Sequence, residues 1–442
     1  MFIRDEHVIS RREYFGGMAF HKKSGTTIEL DKEAQYLMEV LGSPHEIGSL
    51  SRKMSETFQK EISKREIGAI IKDLENIGFV TENIKGVCPE NDSIPRFNKK
   101  EIGMDKITGL SAPETVHLTI TKKCNLDCPL CYETNKNVPD MRKEEIFTLI
   151  DKLAQMKVFQ LAIGGGEPFL REDVCEIIEY CDMKGVVPNI TTNGTLINDG
   201  IIRKIKNGVG GVSVSLNGYS PETNIGRDKR FFDDAVHGIK LLLEAGIPTG
   251  INFLVTNESL KYVNETFSFL KKMGVKWITV IRLKPGQVNE NERLTRYLLS
   301  KEDLKNLKRV LDCWSRLARI NVDTSFTCLM YDVPIRRLKE KAVYGCVSGI
   351  RFCTIDCNGD VYPCSFFKDK KFMAGNVLKD DFQYLWLHSD IFKKFRNMRE
   401  KLKGKCSNCG IKNYCGGCRS IALNTSNDFY EEDTACIHHV GG

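Results

Sequence analysis

The chain has 442 residues, a hydrophobic fraction of 41% and a net charge of +7, which indicates a globular protein of about three domains. It contains no run of about twenty apolar residues, so no membrane partner is expected, and the modest charge excess does not indicate nucleic acid. The charged N-terminus lacks the apolar stretch of a secretory signal, so we expect a cytoplasmic location. The 17 cysteines are clustered, and clustered cysteines in a reducing cytosol bind metal more often than they form disulfides.

Residues 1–86 predict a small winged-helix-like module. The alternating segment EYFGGMAFHKKSGTTIEL predicts a β-hairpin that turns at Lys-Ser-Gly. Three stretches with apolar residues at helical spacing follow, and Gly78 ends the third as a C-cap before a wing-like strand at Phe79 and Val80. The polar segment 87–112 carries two prolines and predicts a linker.

From Glu114 the sequence alternates between strand and helix patterns. Six such units predict an α/β fold with a parallel sheet over residues 113–326, rolled into a partial (β/α)6 TIM-like barrel. Ligand loops in such a fold lie at the C-terminal ends of the strands, so the loops after the first two strands form a candidate site. Residues 327–442 are dense in Cys and Gly, which predicts a Cys-rich domain folded around metal centres.

The loop after the first strand reads CNLDCPLC and supplies Cys124, Cys128 and Cys131. Zinc sites usually take four protein ligands, and a closed cubane iron–sulfur cluster also takes four thiolates. Three thiolates leave one iron open to the amino and carboxylate groups of a small cofactor. The alternative is a structural zinc site completed by a histidine, although His117 on the preceding strand should not point into the loop.

This loop, followed by Tyr132 and then by GGGEP at the next strand end, resembles the radical S-adenosylmethionine (radical SAM) superfamily. The resemblance implies a [4Fe-4S] cluster that binds SAM, and reductive cleavage of SAM to a 5′-deoxyadenosyl radical. It also implies SAM contacts by residues of GGGEP, ITTNG, VSVSLNG and GRDKRFF: Gly165, Gly166, Glu167, Thr192, Asn193, Ser215 and Arg227.

The C-terminal cysteines, which include CSNCGIKNYCGGC, resemble the SPASM extension of radical SAM enzymes. That resemblance implies two auxiliary [4Fe-4S] clusters. Cys406, Cys409, Cys415 and Cys436 would hold one, and Cys346, Cys364 and Cys418 would hold the other, with Cys353 as its fourth ligand or, failing that, Cys357 or an open position. The alternative is one or two zinc ribbons.

Cys328 lies at the junction of the barrel and the C-terminal extension, so it is a candidate catalytic thiol that donates a hydrogen atom. Cys175, Cys181 and Cys313 fall on predicted helices and are interpreted as small apolar residues, while Cys88 lies in the linker.

The N-terminal module resembles the PqqD-like peptide-recognition elements of ribosomal peptide maturation, in which an exposed edge strand accepts a leader peptide as an added strand. A winged-helix DNA binder and a purely structural cap are the alternatives, and the balanced charge of the segment disfavours DNA.

Together these features predict a radical SAM/SPASM oxidoreductase that modifies a ribosomally made precursor peptide, for example by a thioether or carbon–carbon crosslink. The partners expected are that peptide and a small electron donor such as flavodoxin or ferredoxin. Because FCTIDCNGDVYPCSFF resembles enzymes of haem-type cofactor biosynthesis and of mycofactocin maturation, those roles are alternatives. Sulfatase maturation and a non-catalytic, cluster-bearing peptide carrier are further ones.

Overall fold

The computed structural model describes residues 1–82, 109–133, 137–284, 296–340, 343–434 and 436–438. Cys88 and most of the predicted linker lie outside these residues. The chain divides into two compact units, residues 1–112 with 153–159 and residues 113–152 with 160–442. Within the described ranges, we find no helix with the length and apolar character needed to span a bilayer.

The first unit contains a three-stranded antiparallel sheet, a separate strand pair and three helices, which confirms the predicted hairpin and helices. The Asp31 side chain accepts a hydrogen bond from the Ala34 amide at 2.8 Å and begins the first helix, while Ser63 and Glu66 form a capping box on the third. The elements are β1 Phe2–Arg4, β2 Val8–Glu13, β3 Gly16–His21, β4 Thr26–Asp31, α1 Lys32–Val40, α2 Ile47–Phe58, α3 Lys64–Asn76 and β5 Val80–Glu82.

The apolar faces of the three helices in this unit meet over the sheet in one core. Its fully buried residues include Leu37, Leu41, Leu50, Ile67 and Ile71. In the sheet, β3 is central and pairs with β2 on one side and β4 on the other, while β1 pairs with β5 as the wing-like strand predicted at Val80.

The second unit is an α/β fold on a ten-stranded mixed sheet, in agreement with the predicted fold class. The six predicted strands are present and parallel: β6 Thr115–Thr121, β7 Gln160–Gly165, β8 Val187–Thr192, β9 Gly211–Ser215, β10 Thr249–Val255 and β11 Trp277–Arg282. The helices between and after them are α4 Lys143–Gln155, α5 Val174–Met183, α6 Asp199–Ile205, α7 Phe232–Glu244, α8 Val263–Met273 and α9 Lys301–Trp314.

Four further strands extend this sheet at both ends: β12 Ile320–Val322, β13 Phe352–Ile355, β14 Asp360–Tyr362 and β15 Gly375–Asn376. The order across the sheet is β12-β11-β10-β9-β8-β7-β6-β13-β14-β15. Strand β13, from the cysteine-rich region, pairs in parallel with β6, the first strand of the predicted barrel. The remaining helices are α10 Ile335–Glu340, α11 Phe382–His388, α12 Asp390–Arg396 and α13 Arg419–Ser426.

Candidate functional site

Cys124, Cys128 and Cys131 lie together on the loop that leaves the C-terminal end of β6. The Leu126 amide donates to the Cys124 Sγ at 3.5 Å, and the Cys131 amide donates to the Cys128 carbonyl at 3.1 Å, so the loop is folded back on itself. Burial raises the pKa of Cys124 and of Cys131, and the nearby Cys128 thiol raises both further. The structure therefore brings the three predicted ligands into one group.

The glycine-rich end of β7 lies directly against this loop. The Gly166 amide donates to the Thr121 carbonyl and the Glu167 amide donates to the Lys123 carbonyl, both at 2.8 Å. A Cβ atom at Gly166 would overlap the Lys123 carbonyl, so only glycine allows this approach. The first two strand ends therefore form one surface beside the cysteines.

Glu167 connects this surface to the end of β8. Its side chain is completely buried and accepts hydrogen bonds from the Thr192 hydroxyl at 2.7 Å, the Asn193 amide at 2.8 Å and the Phe169 amide at 3.2 Å. Asn193 in turn donates from Nδ2 to the Cys124 Sγ at 3.9 Å. Burial raises the pKa of Glu167, and the three donors oppose that rise. The carboxyl group thus positions the β8 loop against the cysteine loop.

Ser215 and Arg227 lie farther along the same edge of the sheet. Ser215 is the last residue of β9 and is 9% exposed. The guanidinium of Arg227 opposes the rise in pKa that burial causes at Cys131 and at Glu167, which places its positive charge near both groups. Asn193 and Arg227 therefore lie near the three cysteines, while Ser215 lies at the end of β9.

A second group of thiols surrounds a cavity of about 360 Å³, its mouth included, in the C-terminal region. Its lining contains the thiol of Cys328. It also contains the four cysteines of one predicted auxiliary cluster: Cys406, Cys409, Cys415 and Cys436. Cys328 is 2% exposed, and its hydrogen bond with Cys436, together with burial, raises the pKa of its own thiol. The same hydrogen bond lowers the pKa of Cys436 to about 7, although burial of Cys436 opposes this. The structure places Cys328 at this cavity rather than on the cysteine loop.

Cys346, Cys364 and Cys418 form a third group, next to Lys284 at the end of β11. Lys284 donates to the Asp323 Oδ2 at 2.6 Å, and its ammonium lies 4.2 Å from the centre of the Phe366 ring. Burial opposes the charge of Lys284, but Asp323, Cys418 and Cys364 outweigh it and raise its pKa. Burial raises the pKa of Cys364 and of Cys418, and the nearby Cys346 thiol raises both further. The three thiols therefore lie close together.

Cys353 lies on a different side of the sheet from this third group. Its neighbour Thr354 is 3.0 Å from the Ser365 hydroxyl, which follows Cys364, and successive side chains of a strand point to opposite faces. Burial raises the pKa of Cys353, and Arg396 is the charged group that opposes it. The strand register therefore argues against Cys353 as the fourth ligand.

Cys357 and His117 also have other partners. The Cys357 Sγ lies 4.0 Å from the Val138 carbonyl, and His117 Nδ1 is 3.0 Å from the Ser365 hydroxyl. Burial, reinforced by Lys368, lowers the pKa of His117 to about 3, so this imidazole is neutral. The histidine does not enter the cysteine loop, which is the position that a zinc site there would require.

A buried charge cluster of Lys122, Glu133, Asp356 and Lys368 was not predicted. Lys122 is 2.6 Å from Asp356, Lys368 is 3.1 Å from Asp356, and Lys368 also pairs with Glu133. All four side chains are at most 14% exposed. The cluster ties the residue two places after Cys131 to the segment that follows Cys364, and so couples two of the cysteine groups.

The described residues fit iron–sulfur clusters. A cluster spreads its thiolates over several irons, and the thiols above form such groups. In addition, Nε of Arg399 and Nε and Nη2 of Arg419 are buried beside the C-terminal cysteines without a hydrogen-bond acceptor among the described atoms. Buried donors of this kind suit the sulfur atoms of an anionic cluster.

Comparison with known families agrees with this geometry. Residues 118–270 match the model described as the radical SAM superfamily, and residues 346–410 match SPASM, described as an iron–sulfur cluster-binding domain. The chain carries a radical SAM domain and a SPASM domain. It is thus a radical SAM enzyme, and its cofactors are SAM and iron–sulfur clusters, those of the SPASM domain included. Cys124, Cys128 and Cys131 would hold the cluster beside which SAM binds, and SAM would supply there the radical chemistry of hydrogen-atom abstraction.

Individual relatives extend the comparison. The chain is 29% identical to an AdoMet-dependent heme synthase of Methanosarcina barkeri over 75% of this chain and 98% of the relative. It is also 29% identical to the mycofactocin maturase MftC of Mycolicibacterium smegmatis, over 75% of this chain and 85% of the relative. Streptococcus suis SuiB bound to precursor peptide SuiA shares the fold with a TM-score of 0.75 and 18% identity, over 99% of this chain and 100% of that one.

Proposed function

We propose that this radical SAM enzyme oxidises a ribosomally made precursor peptide, forming a thioether or carbon–carbon crosslink. The observation that carries the peptide assignment is the edge strand β4 of the first unit. Among the described residues β4 pairs only with β3, so the backbone groups along its outer edge are available to another strand. An added peptide strand gains affinity from exactly such main-chain groups, as PqqD-like elements do.

The side chains of β4 suit this role. Thr26, Glu29 and Asp31 are exposed, whereas Ile28 is half-buried and packs against the core of the unit. A short strand with mixed polar and apolar side chains can accept one partner strand without being a general aggregation site. The leader would bind here by main-chain hydrogen bonds, and the side chains of β4, Ile28 among them, would add specificity.

At the catalytic end, the geometry above supports the following assignments. Cys124, Cys128 and Cys131 would hold the cluster that binds SAM, while Glu167, Thr192 and Asn193 orient the loop beside it. Cys406, Cys409, Cys415 and Cys436 would hold one auxiliary cluster. Cys346, Cys364 and Cys418 would hold the other. A small-protein electron donor such as flavodoxin or ferredoxin would supply the reducing electron.

A second candidate is a haem-type cofactor biosynthesis role, which the match over 98% of the M. barkeri heme synthase favours. That match leaves a quarter of this chain without a counterpart, whereas the SuiB fold extends over 99% of it. The match to the mycofactocin maturase MftC also covers 75% of this chain, so the preference for a peptide rests on the edge strand β4 and on the extent of the SuiB fold.

The test is an anaerobic incubation of the reduced, reconstituted enzyme with SAM and the small peptide encoded next to its gene. We expect 5′-deoxyadenosine and a peptide product that is lighter by two hydrogens. A variant with Cys124, Cys128 and Cys131 replaced by alanine should form neither. An unchanged peptide mass with deuterium uptake from solvent would instead indicate epimerisation, and conversion of an iron porphyrin but not the peptide would favour the second candidate.

Leader binding can be tested separately with peptides N-methylated at single leader residues. Strand addition uses the amides of every second residue, so affinity should fall at alternate positions along the leader. An effect without this two-residue period would contradict docking on β4.

A further inference from the structure

Arg419 is a buried arginine with two side-chain nitrogens that lack an acceptor among the described atoms. Its side chain is 0% exposed, and it directly follows Cys418 at the start of α13. Only Nη1 has acceptors, the carbonyl groups of Phe429 at 2.9 Å and Glu431 at 2.7 Å. Nε and Nη2 are buried and have no acceptor among the described atoms. A buried guanidinium with two unpaired nitrogens is costly unless a ligand completes it.

The position of the two unpaired nitrogens points to what that ligand is. A Cβ atom at Gly417 would lie 2.6 Å from Nη2, so this nitrogen is adjacent to the backbone between Cys415 and Cys418. The Gly417 amide donates to the Cys415 Sγ at 3.4 Å. Burial raises the pKa of Cys406, and the positive charge of Arg419 opposes that rise, so the guanidinium also lies near Cys406.

We propose that Arg419 donates charge-assisted hydrogen bonds from Nε and Nη2 to the sulfur atoms of the auxiliary cluster held by Cys406, Cys409, Cys415 and Cys436. Arg419 is then a positioning residue that holds this cluster and raises its reduction potential. Reduction adds a negative charge to the cluster, and a buried cation at hydrogen-bond distance stabilises that charge. The cluster would thereby accept an electron more readily.

Arg282 and Asp433, two other charged residues nearby, do not supply the same interaction. Arg282 bonds the Ser325 carbonyl at 2.8 Å and Asp433 at 3.2 Å. Asp433 accepts from the Cys418 amide at 3.1 Å, and its negative charge raises the pKa of Cys415 after burial. Arg282 thus has acceptors for its hydrogen bonds, whereas Nε and Nη2 of Arg419 have none among the described atoms.

The chain offers a matched control in Arg396. It is a half-buried arginine of the C-terminal region, but it donates from Nε to the Gly349 carbonyl at 3.1 Å and from Nη2 to the Trp386 carbonyl at 2.6 Å. It also stacks over the Trp386 ring at 4.7 Å. Its role is structural, so R396Q should destabilise the fold without changing the cluster.

The experiment uses full-length protein in which Cys124, Cys128 and Cys131 are alanine, so that only the auxiliary clusters contribute signals. R419Q, R419K and R396Q are reconstituted anaerobically, assayed for iron and sulfide, and titrated with EPR detection. We expect R419Q to lower the reduction potential of one auxiliary cluster, R419K to lower it less, and R396Q to leave both potentials unchanged.

Loss of one cluster's iron in R419Q but not in R396Q would also support the proposal. The reduction potential of that cluster would then be measured in R419K instead. Wild-type potentials in R419Q, or equal effects of R419Q and R396Q on potential or iron, would overturn it. The measurement requires neither SAM cleavage nor a peptide, so it is independent of the proposed function.

Discussion

Replacement of Glu167 by glutamine tests whether this carboxyl group positions the SAM-binding loops. Its two oxygens each accept a backbone amide, Oε1 that of Phe169 and Oε2 that of Asn193. A glutamine side chain has one oxygen, so its NH₂ group must face one of these N–H groups inside a fully buried site. An unsatisfied buried donor costs about 1–3 kcal/mol, so two donors facing each other should cost about 2–6 kcal/mol in all.

The consequence reaches the cluster because Asn193 also contacts Cys124. We expect E167Q to lower the free energy of unfolding, measured by denaturant titration of the reconstituted enzyme, and to slow 5′-deoxyadenosine formation at least tenfold. The exposed Glu172 provides the control, since E172Q should change the free energy by less than about 0.5 kcal/mol. Wild-type stability and SAM cleavage in E167Q would refute the reasoning.

Three further changes follow from the same geometry. G166A should lower the free energy of unfolding by about 1–3 kcal/mol and abolish SAM cleavage, because the new methyl group overlaps the Lys123 carbonyl. The control is G68A on α3, where the methyl group meets only Ile47 at 3.9 Å, and it should keep full activity in the same assay. K368M should destabilise the enzyme by about 3–5 kcal/mol, because Glu133 and Asp356 lose a buried cation. The control K370M, on the surface, should not shift the midpoint of urea unfolding. Equal midpoints for the two variants would contradict this prediction. C353A should retain the full iron content and C364A should lose one cluster by iron analysis, and loss of iron in both would return Cys353 to the ligand set.

Much of the second unit could be predicted from the sequence. Strands β6 to β11 carry regular apolar patterns followed by helices, and that repetition is sufficient to specify a parallel sheet. The loops that follow β6, β7 and β8 then meet at one edge, because parallel strands end together. Cys124, Gly166 and Asn193 come together for this reason alone.

Other features depend on contacts that a local pattern does not contain. Strand β2 was missed because its alternation is hidden by Arg11 and Glu13, which are buried as an ion pair at 2.8 Å. The pairing of Lys368 with Glu133 joins residues 235 positions apart. The orientation of Cys353 depends on the register of β13 with β6, which pairs it with Val116. Spacing among cysteines carries no information about strand register.

The position of β13 limits where this chain can be truncated or joined to a segment of a relative. Although it belongs to the cysteine-rich C-terminal region, β13 lies beside the first strand of the parallel sheet. A chain ending at residue 340 would expose the backbone edge of β6, which invites intermolecular pairing, and would leave Lys122 and Glu133 buried without Asp356 and Lys368. We therefore expect such a truncated protein to aggregate. We also expect a chimera of two relatives to fold only when β6 and β13, with the charged residues that follow them, come from the same parent.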